Sequence, residues 1–87
     1  MHRNVARAYN ALWAEHKRVR VAWMKILAQG NRALERRLLR ADLEDPKHHD
    51  EVLQYEDRLS RPQRRRALRL NKYGTKIESV MAALLKL

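Results

Sequence analysis

Between Arg58 and Lys76 the chain carries eight Arg or Lys side chains and no acid. Such a segment cannot be wrapped in a protein interior, because each unpaired charge removed from water carries a large desolvation penalty. It can fold only with one narrow apolar edge against a core and the rest facing water or anions. Arg64, Arg65, Arg66, Ala67, Leu68, Arg69 and Leu70 are mostly strong helix formers, so the segment is predicted helical. On a helix, Arg58, Arg61, Arg65, Arg69, Lys72 and Lys76 share one side at three- and four-residue spacing. If the helix continues past Pro62, they form a ridge over about 25 Å long. Arg64 and Arg66 belong to the same tract. Like charges so arranged repel one another unless an anion lies near. Phosphate contact is the expected reason for the ridge.

The rest of the chain is organised around that block. Residues 1–40 carry ten cations and two acids, residues 41–57 carry seven acids and Lys47, and residues 77–87 are balanced and apolar. The total is twenty Lys and Arg against ten Asp and Glu, a net charge of +10. Fourteen of the cations are Arg, whose planar fork of donors matches phosphate and stacks on bases. Eighty-seven residues make one domain at most, with a thin core. The absence of Cys excludes disulfides, zinc knuckles and thiol catalysis. No apolar run approaches the length of a membrane span. The N-terminal segment lacks Ser and its apolar pattern runs on, so it is read as mature protein instead of a transit peptide.

Apolar spacing gives an all-α fold. Val5, Tyr9, Leu12, His16, Val19, Trp23 and Ile26 lie on one stripe, which Leu34 and Leu38 continue beyond Gly30. Gly30-Asn31 could end one helix and start another, but an interior Gly costs only about 1 kcal/mol, so one long helix over 1–40 is expected, its residues 3–40 making a rod of roughly 55 Å. A loop follows at 41–46, where Asp45-Pro46 signals a new helix. The second helix is placed at 47–73, kinked or broken at Pro62, with Ser60 and Gln63 forming a capping box in the broken case. Gly74 reads as its stop, and Thr75 to Glu78 as a second capping box opening a short helix over 75–87. The expected architecture is an antiparallel two-helix hairpin with a short C-terminal helix. Val52, Tyr55 and Leu59 are expected to pack on the Leu12–Ile26 stripe.

A second basic set on the first helix comprises Lys17, Arg18, Arg20, Lys25, Arg32, Arg36, Arg37 and Arg40, expected to face away from the stripe. Arg18 and Arg36 are its candidates for RNA contact. Among the aromatics, Tyr9, Trp23 and Tyr55 are assigned to the core, while Trp13 and Tyr73 are the candidates for stacking on bases or touching a partner. His48 and His49 do not make a metal site, because adjacent helical side chains diverge by about 100°. No nucleophile–base set, Gly-rich phosphate loop or paired-carboxylate cleft is present in the pattern. Neither an enzyme nor a cofactor is expected.

Leu43-Glu44-Asp45-Pro46, then Glu51-Val52, Arg58-Leu59 and Arg64-Arg65-Arg66-Ala67-Leu68, resemble the second half of the universal ribosomal large-subunit protein twenty-nine family. Leu12-Trp13 followed by Lys17 and Arg20 is similar to the first helix of its mitochondrial branch. The likeness covers about two thirds of the chain. It implies a two-helix hairpin lying on ribosomal RNA near the polypeptide exit tunnel, touching neighbouring ribosomal proteins, with Arg58, Arg64, Arg65 and Arg66 as RNA contacts. The expectation is therefore a structural protein of the large subunit of a mitochondrial (organellar) ribosome, with no small-molecule substrate and no membrane insertion. The alternative is a small matrix-side accessory subunit of a respiratory complex of the cytochrome bc1 type, its Arg run meeting acidic protein or lipid head groups. Non-specific DNA binding is the third option.

Overall fold

Two consecutive residues with positive φ end the first helix. In the computed structural model, which describes residues 2–41 and 45–87, α1 spans Arg3–Ala28. Gln29 (φ 49°) and Gly30 (φ 87°) then turn into the left-handed region. Asn31 caps α2, Arg32–Arg40, its side chain accepting from the Leu34 N–H at 3.1 Å. The single helix expected over 1–40 is therefore two. The reason is that the stripe could not be buried along a straight rod. The turn at Gly30 folds α2 back, so that Leu38 reaches the same core as Met24 and Leu27.

Residues 42–44, which include Leu43 and Glu44 of the family resemblance and half of the expected loop, lie outside the described residues. α3 runs Pro46–Asp57, with the Asp45 side chain accepting from the Lys47 N–H at 3.0 Å and Pro46 in the first turn. It stops five residues before Pro62. Leu59 is buried in the turn that follows. Ser60 then opens α4, Arg61–Leu85, through a complete capping box. The Gln63 N–H donates to Ser60 Oγ at 3.4 Å, and the Ser60 N–H donates to Gln63 Oε1 at 3.0 Å. Pro62 sits in the first turn, where no N–H partner is needed. Of the two courses open in the sequence, the chain takes the broken one.

Gly74 does not stop this helix, and no separate helix covers 75–87. α4 passes through Gly74 because its apolar face, Ala67, Gly74, Ile77 and Met81, continues along α1 and is buried throughout. That burial outweighs the roughly 1 kcal/mol that an interior Gly costs. The Thr75 hydroxyl donates back to the Asn71 carbonyl at 2.9 Å instead of capping a new helix. A Cβ at position 74 would meet Val19 Cγ1 at 3.6 Å, an ordinary van der Waals distance. Gly74→Ala is therefore expected to stabilise the protein by about 0.5–1 kcal/mol. Urea denaturation checks this; a lower midpoint would mean that the two helices touch too closely there for a methyl group.

The result is all-α, with four helices and no strand among the described residues. α1 and α4 pack antiparallel, with Val19 beside Gly74, His16 Nε2 at 2.8 Å from Glu78 Oε1, and the Tyr73 hydroxyl donating to Glu15 at 3.1 Å. α2 and α3 cover the C-terminal part of α1. Two buried clusters follow. Val19, Ile77 and Met81, with Tyr9, Leu12 and Leu70 around them, hold the open end. Met24, Leu27, Leu38, Val52, Leu59 and Ala67 hold the closed end, with Trp23, Ile26 and Tyr55 packed against them. Val52, Tyr55 and Leu59 thus share a cluster with Trp23 and Ile26 of the expected α1 stripe. Leu12 and Val19 face α4, because the helix that was expected to end at Gly74 continues over them.

Candidate nucleic-acid interface

α4 places the basic tract by simple helical geometry. At about 100° per residue, Arg61, Arg65, Arg69, Lys72 and Lys76 fall within roughly 80° of arc. The centre of that arc lies roughly 160° from the buried face of Ala67, Leu70, Gly74 and Ile77. The row is about 22 Å long from Arg61 to Lys76. All five are exposed, as is Arg66 on the flank nearer α1. None of these six forms an ion pair among the described residues. Six exposed cationic side chains therefore stand on the outer side of α4 with no carboxylate paired to them among the described residues.

The break before Ser60 changes the role of two members of the tract. Arg58 is not on the ridge: it caps the end of α3, with its guanidinium 5.3 Å from the Tyr55 ring. Arg64 turns back toward the end of α3, where its Nη2 donates to the carbonyls of Glu56 at 3.4 Å and Asp57 at 3.3 Å. A cation at a helix C-terminus is favoured by the helix dipole. Both side chains remain exposed, but they serve the α3–α4 junction first.

The second basic set is mostly spoken for. Arg18 is paired with Glu15, through Nε at 3.0 Å and a second, shorter contact. That pairing holds the Glu15 carboxyl below its ordinary value and raises Arg18. Arg36 is exposed and donates to the Arg32 carbonyl at 3.4 Å. Arg37 is paired with Glu51 across α2 and α3 and donates to the Tyr55 hydroxyl at 3.3 Å. Arg20 contradicts the expectation that this set faces away from the apolar stripe. It is half-buried, and its Nη2 donates to the Ala41 carbonyl at 3.4 Å. One turn of helix separates it from both His16 and Trp23, so it lies on the edge of the stripe itself.

The aromatics divide as expected between core and surface. Tyr9, Trp23 and Tyr55 pack against the two clusters. Trp13 and Tyr73 are both exposed, but neither is unengaged. Trp13 stacks on His16 at 5.7 Å and carries the Lys17 ammonium 5.3 Å from its ring. Tyr73 is held by Glu15, which raises the pKa of its hydroxyl.

One buried polar residue lay beyond sequence reasoning. His48 is 5% exposed, at the first turn of α3. Its Nδ1 has no hydrogen-bond partner among the described residues. Burial, followed by the positive charge of Arg20, pushes its pKa below the ordinary value of 6.5. His49, Glu51 and Asp45 also face it, the two acids opposing the shift. A depressed value means that the unfolded chain takes up this proton before the folded one does. The stability contributed by neutral His48 is complete above about pH 6.5 and declines as pH falls below it. Thermal melts between about pH 7.5 and pH 5 should show this decline, reduced in His48→Gln. Equal pH dependence in the two proteins would show that His48 is not the group responsible.

No helix among the described residues is long and apolar enough to cross a membrane. No protein-family model, curated protein or solved structure was found to match the chain.

Proposed function

We propose that the protein binds the phosphate backbone of RNA through the outer face of α4. The observation that carries this reading is the row Arg61, Arg65, Arg69, Lys72 and Lys76, exposed and without a carboxylate partner among the described residues. Contacts of this type position a protein on a nucleic acid without reading its sequence. They suit a structural role better than a catalytic one. The family resemblance makes the large subunit of an organellar ribosome the proposed site of action, with ribosomal RNA and adjacent ribosomal proteins as partners.

Fluorescence anisotropy with a labelled RNA, repeated across a range of salt, tests the phosphate reading. Five neutralised phosphates should give a log–log salt slope of about −3.5 on single-stranded RNA. A slope near zero, or tighter binding to vesicles of anionic lipid than to RNA, would overturn it. The second of these results favours the respiratory-complex alternative. Sedimentation tests the location: co-migration with ribosomal particles, lost on RNase treatment, is expected. Extraction by detergent together with haem-containing complexes is the contrary result.

A further inference from the structure

We infer that the protein bridges two RNA segments, one on each side of the α1–α4 pair; the inference rests on the phosphate-binding reading above. α1 carries a cationic row of its own. Arg3, Arg7, Arg18 and Lys25 lie within roughly 60° of arc at about 100° per residue. That arc is roughly opposite the core-facing line of Tyr9, Leu12, His16, Val19 and Trp23. All four cations are exposed, and only Arg18 is paired, with Glu15, among the described residues. Glu15 is also the one acid in α1. The row runs for about 33 Å.

The two rows point apart for a geometric reason. Each lies on the side of its helix away from that helix's buried face, and the buried faces of α1 and α4 meet. The rows are therefore separated by the thickness of the molecule, whose principal extents are 44 × 25 × 21 Å. One straight phosphodiester path can follow one row and not the other. Two separate segments can each take a row, with the protein neutralising the repulsion between them. A second copy of the chain is disfavoured on either row, because like charge would meet like charge. Lys25 and Arg66 border one shallow hollow at the turn end of the pair. A single strand could pass round that flank, and the test must separate wrapping from bridging.

The experiment mixes the protein with two RNA hairpins, one labelled with a donor dye and one with an acceptor. Wild-type protein should produce energy transfer at one protein per two hairpins. Excess protein should abolish the transfer, because each hairpin then acquires a protein of its own. Sedimentation of the complex should show one protein with two hairpins. Arg3→Glu, Arg7→Glu and Lys25→Glu together should abolish transfer while leaving affinity for a single hairpin within about threefold. The corresponding Gln variants, which keep the helix free of new acids, should reduce transfer in the same direction. Transfer undiminished in both triple variants would overturn the inference. So would absence of transfer in the wild type despite tight binding of one hairpin, or loss of single-hairpin affinity in step with transfer, as wrapping requires. If the wild type binds no hairpin, the phosphate reading itself fails.

Discussion

Arg65→Glu with Arg69→Glu is expected to weaken RNA binding by roughly 100-fold or more at moderate salt, and to leave the fold intact. Both side chains are exposed in the middle of the α4 row and hold no partner among the described residues. Each reversal removes one phosphate contact and adds one repulsion. The magnitude of the salt slope on single-stranded RNA should fall by about 1.4. Arg65→Lys with Arg69→Lys retains two point charges and should keep most of the affinity, since phosphate positioning does not require the bidentate fork. Circular dichroism should be unchanged in both proteins, because neither side chain supports a helix end or the core. In cells, the Glu pair should fail to enter ribosomal particles. RNA affinity within about threefold of the wild type would remove the ridge from the mechanism.

The residues that carry this prediction were legible without coordinates. A three- and four-residue spacing of like charges, free of acids, specifies a helix face whatever the helix packs against. Two helix starts were legible for the same local reason, Asp45-Pro46 and the Ser60–Gln63 box, each acting within one turn, whereas the Thr75–Glu78 pattern opens no helix and Asn31 opens one that the stripe did not announce. Helix ends were not. Gly30 and Gly74 are identical letters with opposite outcomes, and long-range packing decides between them. Gly30 adopts φ 87° with open space around its Cα, which lets the chain turn. Gly74 is buried against Val19, which keeps α4 straight enough to seat Ile77 and Met81. The closed-end core is only partly legible in the sequence: Leu27 falls at the same helical angle as Tyr9, whereas Met24 lies about 60° off that line and outside the stripe, yet both are buried. Their burial comes from the joint approach of α2, α3 and the N-terminal part of α4. The same approach encloses His48 and draws in Arg20. The α1 cationic row is less legible in the sequence because its members are spread over three intervals instead of massed in one tract.

Truncating Leu38 to Ala is expected to cost about 2–5 kcal/mol and to leave much of the protein unfolded at ordinary temperature. Leu38 is fully buried, and it is the buried residue of α2 in the cluster with Met24, Leu27, Val52 and Leu59, flanked by the half-buried Leu34 and Leu39. In a chain this short no second layer stands behind that cluster to relax into the cavity. Chemical denaturation should show the loss directly; a change below about 1 kcal/mol would mean that α2 is not part of the cooperative unit. The same variant links the core to the ridge. α4 starts at the closed end, where Leu59 and Ala67 share the cluster with Leu38, so loosening this cluster loosens the first turns of the row. A ligand that binds only the folded state at a hundred times its Kd restores about 2.7 kcal/mol. RNA should therefore raise the melting temperature of Leu38→Ala, and should fail to do so when Arg65→Glu and Arg69→Glu are added. Rescue that persists in the triple variant would place the RNA on some other surface, even if the stability loss itself were as large as expected.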